Sequence, residues 1–585
     1  MRAKARTAGS VLVLVAALLG GCSNTPPPPV VTTPVASSSA VPVATQSQIV
    51  VGVDDVIGGY NPHNLADAST ITSALSQLLL PSVFRQKDDG TPQLDKNLMV
   101  SASVMSDLPF TVAYEISPAA SWSDGAPIAA EDFDYLYRAM RDEPGVAGPA
   151  GYRLISGIQS RNGGKRVEVS FSKPYPGWQT LFSDLLPSHL LKDAPGGWKG
   201  ALATSFPAVA GPFSVKTLDV GRGEVILERN DRYWQKPAAV DRLILRRADQ
   251  AGLAAALRSG NDQFTIATTD ANGLKTFNEM GAAVQLHTVA RPLVADVLLR
   301  PVSATLADDQ VRAGVAAVID RAKLIAEGTA GGAAANLTAD ALVKPPSAPG
   351  YAPTIPSTGP PAAPDPAKAK SLFEAAGYVK ETGTWRKAGK TLSLVIASPG
   401  KLEPYARMAK ELSNQLIAAG IEVNVVSPQP RELFSTLLAM PVVNGLQQAT
   451  PDAGGSVGVD IAVVPQSVDG GPATVLASTF GCRPGQSSKD KAKLVVPGNS
   501  AAFCDDSLQT TIDSALSDQT AQPGQATTPK ALSALEAELW RRNVVIPLFQ
   551  LADTLAIGSG ISGVSTGPPM VGPFGSAVNW TRGAK

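Results

Sequence analysis

At 585 residues the chain is too long for one hydrophobic core, so two or three domains are expected. Fifty basic and fifty acidic side chains give a formal net charge of zero, which removes the electrostatic footprint of a general nucleic-acid binder. Three histidines, His63, His189 and His287, leave little material for metal or acid–base chemistry, and neither a metal nor a cofactor is expected.

The N-terminus reads as a leader. Arg2, Lys4 and Arg6 form a basic segment, and Val11 to Leu19 is an apolar run too short to span a bilayer. It ends in Leu19-Gly20-Gly21-Cys22, which looks like a bacterial lipobox. The implied chemistry is a thioether from Cys22 to diacylglycerol and cleavage before it, placing the protein on the outer face of the cytoplasmic membrane. An ordinary signal peptide with a chance cysteine is the alternative. Two or three acyl chains would hold firmly, one only marginally. Residues 23–47 are rich in Pro, Ser, Thr and Val and read as an extended tether.

In chain order, Ile49 to Val53 alternates and is β-branched, predicting a strand. Tyr60-Asn61-Pro62-His63 is a loop, and Ile71 to Leu80 has helical spacing. Phe110 to Ile116 predicts a strand, Trp122-Ser123-Asp124-Gly125 a turn. Phe133, Leu136, Tyr137 and Met140 mark one face of a following helix, whose first turn holds Glu131 and Asp132. Trp122 is expected to pack rather than to touch a ligand. Val167 to Phe171 is a further strand, followed by Trp178 and a helix predicted through Leu186. Val225 to Arg229 is a strand, closed by Tyr233 and Trp234 as an aromatic plug. Leu306 to Ile325 reads as one helix. Asp365-Pro366 gives an N-cap and first helical residue, Ala369, Leu372, Phe373 and Ala376 an apolar stripe, and Gly377 a stop. Leu392 to Ile396, Ala406 to Ala419 and Gly420 to Val423 read as strand, helix, strand, a right-handed βαβ unit. Asp460 to Val464 is a strand, Leu532 to Leu539 a helix, and Val544 to Leu551 a strand containing Pro547.

The strand, Trp-Ser-Asp-Gly turn and Ala-Glu-Asp helix start at 110–141 resemble the signature of the family-5 extracellular solute-binding proteins, the oligopeptide-, dipeptide- and nickel-binding receptors of ABC importers. Pro92 to Leu98, Pro187-Ser188-His189, Gly211-Pro212-Phe213 with Leu227 to Trp234, Asp320-Arg321, Asp365 to Tyr378, and Ile546-Pro547-Leu548 follow in the family's order. The resemblance implies an α/β periplasmic-binding-protein-like fold of type II, two lobes with a ligand between them, in a three-domain architecture. The expected boundaries are a leader at 1–21, a tether at 22–48, domain I at 49–88, 205–295 and 541–585, domain II at 89–204, and domain III at 296–540. It also implies a cleft loop carrying Tyr60, Asn61 and His63; for His63 a plain surface turn is the alternative.

Past Cys22 only Cys482 and Cys504 remain. In an extracytoplasmic protein this pair favours a disulfide, with two buried thiols as the alternative. Such a bond would contribute about 3 kcal/mol by the chain-entropy model. Gly454 to Gly458 matches the serine-hydrolase G-x-S-x-G, but no histidine follows it. Gly558 to Gly563 matches G-x-G-x-x-G, but Gly567-Pro568-Pro569 lies close behind it where a helix should run. Neither enzyme class is supported, and a non-catalytic binding protein is expected.

Peptide importers of the family hold the peptide amine with an Asp in a W-x-x-D-Y-P-D-P loop. The matching segment here is Val464 to Pro472, without the Trp, and by register the amine-binding position falls on Val468, with Asp469 one residue off. The low aromatic content and Ala/Val/Pro bias look actinobacterial, and the chain resembles the LpqW-type branch of mycobacterial lipoproteins. That implies a mannosylated phosphatidylinositol intermediate as ligand, a part in assembling phosphatidylinositol mannosides and lipoarabinomannan, and mannosyltransferases as partners. The other expectation is a monomeric ABC-importer receptor for peptides or another solute, with a permease as partner.

Overall fold

The computed structural model describes residues 47–448, 458–485, 494–518 and 529–583. Cys22, the leader and nearly all of the tether lie outside the described residues, as does most of the Gly454 to Gly458 motif.

A ten-stranded sheet runs through the molecule. Its order is Glu422–Val426, Ser393–Ala397, Ile461–Ser467, Val284–Leu299, Val545–Gly558, Phe264–Ala267, Gln48–Val53, Arg242–Arg247, Glu224–Arg229, Phe213–Asp219. Gln48–Val53 pairs in parallel with Phe264–Ala267 and Arg242–Arg247. At the other end Ser393–Ala397 pairs in parallel with Glu422–Val426 and Ile461–Ser467, the first of these closing the expected βαβ unit over the helix Tyr405–Ala419. Parallel strands joined by a helix can bury both faces, as Ile461–Ser467 does along almost its whole length, whereas the edge strand Glu422–Val426 stays largely exposed.

Two long antiparallel strands, Val284–Leu299 and Val545–Gly558, join the two parallel groups. Their pairing is regular from Val284 to Ala290, shifts between Ala290 and Val294, and resumes. Pro292 sits in that irregularity. Proline has no N–H to give to a ladder, so a bulge is where a sheet tolerates it.

The segment built on Trp122 folds as its sequence predicts. The strand Phe110–Ile116 lies inside a four-stranded sheet formed wholly by residues 99–171. Gly125 turns the chain at φ 97°, and the helix Ala130–Asp142 buries Phe133, Leu136, Tyr137 and Met140. Trp122 is fully buried and donates its indole N–H to Asp132 Oδ2 at 3.2 Å. Asp132 also accepts the Ala129 amide, at 3.1 Å, and the Ser188 amide and hydroxyl, at 2.9 and 2.7 Å. The acid at this position therefore ties the turn, the helix start and the segment around Ser188 together.

Two helices expected from spacing are not continuous. The helix predicted through Leu186 is a short 3₁₀ segment, Pro176–Thr180, after which Phe182 and Asp184 take left-handed backbone at φ 60° and 48°. Phe182 is buried against Tyr114, Phe133 and Tyr152, and this aromatic packing outweighs helix propensity. The run Leu306 to Ile325 divides into Asp309–Val318 and Arg321–Thr329, because the Asp320 side chain leaves the helix to cap the second piece at the Lys323 amide. The Gly558 to Gly563 stretch leads into a two-residue strand paired with Thr581–Arg582, not into a helix. Cys482 and Cys504 are bonded, with their Cα atoms 4.7 Å apart.

Candidate functional site: the cleft at the long strands

A cleft with a cavity volume of about 230 Å³ lies where the two long strands pass between the lobes. The helix Thr70–Leu79 is capped by the Ser69 side chain and buries Ile71, Leu75, Leu78 and Leu79. Its other face places Thr70, Ser73 and Gln77 in the cleft wall. Thr180 to Asp184, whose irregular backbone was just described, supplies Ser183 and Asp184. The bulge of Val284–Leu299 supplies Ala290, Arg291 and Pro292, and the partner strand supplies Asp553. Ser467, Asp469 and Gly470 come from the end of Ile461–Ser467 and the turn after it, and Met570 to Phe574 close the wall.

Hydroxyls and carboxylates dominate the chemistry of this wall. Asp553 is buried and accepts the hydroxyls of Thr70, at 2.8 Å, and Thr268, at 3.2 Å. Asp54 stands behind it and accepts the Thr268 amide at 2.8 Å. Burial first, and the Asp553 carboxylate second, push Asp54 up to about 6, against the pull of the Thr268 amide and the Arg291 guanidinium. Asp184 is likewise pushed up to about 6 by burial, with Arg85 and the Ser82 hydroxyl opposing. Asp469 reaches solvent in the cleft but is walled in by protein, which raises it, while its bond from the Gly470 amide acts the other way. Arg291 makes no hydrogen bond or ion pair through its guanidinium among the described residues; its carbonyl accepts the Gln550 amide at 2.8 Å. Such a wall offers several acceptors and one cation to a polyhydroxylated or otherwise polar ligand.

Of the four ligand residues expected from the sequence, His63 and Asp469 line the cleft. Tyr60 and Asn61 do not; both are fully buried behind it. Asn61 orders the loop instead, accepting the His63 amide with Oδ1 at 3.1 Å and donating its own amide to Asp67 at 3.1 Å. His63 is buried, its Nε2 lies 2.9 Å from the Asp184 carbonyl, and burial pushes it down to about 4, so the ring is neutral near pH 7. Val468, the position matched by register to the importers' amine anchor, is buried and donates its amide to the Pro292 carbonyl. The neighbouring Asp469 is the one that reaches the cleft, so this loop does present a carboxylate. Asp184, Arg291 and Asp553 were not singled out from sequence. Pro292 inside a strand pattern and Asp553 inside an apolar run were the available signals.

Residues 96–452 match the family model for bacterial extracellular solute-binding proteins, family 5. The chain is similar to the "Probable monoacyl phosphatidylinositol tetramannoside-binding protein LpqW" of Mycobacterium tuberculosis H37Rv, at 33% identity covering 93% of each chain. It is similar to the "Oligopeptide-binding protein OppA" of Mycobacterium bovis at 26% identity over 41% of this chain and 40% of the other. Among solved structures, the oligopeptide-binding protein AppA of Bacillus subtilis, in complex with a nonapeptide, superposes with a TM-score of 0.68 at 17% identity, covering 92% of this chain and all of that one. The ten-stranded sheet, the interlobe cleft and these matches lead to one conclusion: the chain belongs to the family-5 bacterial extracellular solute-binding proteins and has their two-lobed α/β fold.

Proposed function

We propose that the protein is a lipid-anchored binding protein of the cell envelope, non-catalytic, that takes a mannosylated phosphatidylinositol in its interlobe cleft and so regulates phosphatidylinositol mannoside and lipoarabinomannan assembly. The observation that carries this reading is the end-to-end similarity to a protein named for binding monoacyl phosphatidylinositol tetramannoside. The cleft chemistry supports it: Thr70, Ser73, Gln77, Asp184, Asp469 and Asp553 can accept or donate to sugar hydroxyls. A cavity of about 230 Å³ is below the usual size of about 300–1,000 Å³ for a small-molecule pocket, so it would seat one end of such a glycan in this conformation. Cys22 would carry the anchor and residues 22–48 the tether. No helix among the described residues is long and apolar enough to cross a membrane. The domain boundaries expected above are kept as part of this reading, with mannosyltransferases as the partners and the protein a monomer. Mass spectrometry of lipids that co-purify with the full-length protein tests it. Recovery of a mannosylated phosphoinositide supports the reading, and recovery of peptides alone removes it.

A second reading, a peptide receptor for an ABC permease, is favoured by Asp469. Its carboxylate reaches the cleft one residue after the matched position and could hold an ammonium group. Binding of peptides that is lost in Asp469→Asn would establish it.

A further inference from the structure

Beside the cleft lies a smaller pocket of about 30 Å³, which shares Gly148 and Ser467 with the cleft wall. Arg153, Gln466, Arg483 and Glu143 line it. Arg153 ends the short helix Ala150–Arg153 and donates through one terminal nitrogen to the Gly498 carbonyl at 2.8 Å. Its Nε is buried and has no hydrogen-bond partner, and it makes no ion pair among the described residues. Gln466 is 9% exposed, and its Nε2 is a second buried donor without a partner.

These two orphan donors face a physical problem. A buried N–H left unmade costs more than a made bond contributes. Burial and the nearby Arg483 push Arg153 down to about 10, with Asp142 opposing. Arg483 itself is engaged with the Asp142 carbonyl at 2.7 Å and lies 3.6 Å from the Asp142 carboxylate. Glu143 is the carboxylate on the pocket wall, and burial raises it while Lys199 and Arg483 oppose. A volume of about 30 Å³ is enough for one small group but not for a sugar.

We propose that Arg153 and Gln466 form an anion subsite adjoining the cleft, which takes one small anionic group such as a phosphate. The anion has two possible sources, the phosphodiester of a ligand that extends from the cleft through Gly148 and Ser467, or a free inorganic ion. The subsite does not depend on which ligand the cleft takes.

The test is the melting temperature of the full-length protein in detergent, titrated with inorganic phosphate at constant ionic strength. The expected result is a saturable rise. Arg153→Met abolishes it, Arg153→Lys keeps part of it, and Gln466→Met weakens the apparent affinity at least about tenfold. A melting temperature that follows ionic strength whatever the anion, or an Arg153→Met protein that responds like the wild type, overturns the proposal. If Arg153→Met fails to fold, an unchanged phosphate affinity in Gln466→Met overturns it equally. Competition of glycerophosphoinositol, but not inositol, with phosphate assigns the site to a ligand's phosphodiester. Phosphate binding that neither compound disturbs assigns it to a free ion. Failure here leaves the glycan reading standing if a mannosylated phosphoinositide still binds.

Discussion

Arg431 and Asp67, 364 residues apart in sequence, form a two-pronged ion pair in which Nε lies 2.9 Å from Oδ1 and a terminal nitrogen meets Oδ2. Asp67 is 2% exposed and also accepts the Asn61 amide, so the pair is tied to the loop that carries His63 into the cleft. Arg431 reaches the Lys199 and Ala201 carbonyls as well. It thereby joins the lobe of the βαβ unit to two other segments.

Removing the arginine leaves a buried carboxylate without its partner. Burial already raises Asp67 despite the pull of Arg431. Arg431→Met should lower stability by about 2–4 kcal/mol at pH 7, read by urea denaturation, and the loss should shrink in the Asp67→Asn background. A loss below about 0.5 kcal/mol would place the pair with ordinary surface bridges.

Asp296 lies in the long strand Val284–Leu299, is 4% exposed, and has one oxygen without a hydrogen-bond partner. Burial raises it well above 3.8, with Arg321 only partly offsetting. Its folded form therefore holds a proton that the unfolded chain releases, and the stability it contributes is present at low pH and lost as pH rises. Asp296→Asn should be more stable than wild type by about 1–3 kcal/mol at pH 8, and the difference should narrow toward pH 4.5. A difference constant across that range would show that the carboxyl is ionised in the fold.

His63 has the opposite linkage. Its folded value is depressed from 6.5 to about 4, so the stability it confers is present above pH 6.5 and is lost as pH falls toward 4. The span corresponds to about 3 kcal/mol at most. NMR of ring-labelled histidine should show a His63 ring signal, identified by its loss in His63→Gln, that does not change between pH 8 and 5.5. Titration of that signal near pH 6.5 would contradict the burial of the ring.

Cys22 is expected to carry the lipid. The intact mass of protein purified from membranes should show loss of residues 1–21 and addition of a diacylglyceryl group. Cys22→Ala should abolish both. A lipidated mass in that variant would refute the assignment.

Much of the fold was legible because its signals are local. The apolar faces of Ala130–Asp142 and Pro366–Ala375, and the strand–helix–strand spacing from Ser393 to Val426, depend on residues no more than 33 positions apart. The break at Asp320 competes with periodicity through a single side-chain cap, which spacing does not weigh. The coil at Phe182 is set by aromatic neighbours from three other segments. The cleft was the least legible part. It draws residues from the first strand's loop to Met570 to Phe574, beyond the last long strand, and Asp553 in its wall acts on Asp54 outside it. His63 and Asp469 were found through family order, whereas Arg291 needed the bulge at Pro292 to be seen.

Thermal denaturation of the full-length protein in detergent separates a glycolipid ligand from a peptide. A site-specific ligand at one hundred times its Kd adds about 2.7 kcal/mol to stability. A deacylated mannosylated phosphoinositide should give a saturable rise in Tm, and Asp553→Asn should reduce it, while a library of short peptides leaves Tm unchanged. A rise with peptides and none with the mannosylated headgroup would contradict the glycolipid reading and put the peptide receptor in its place.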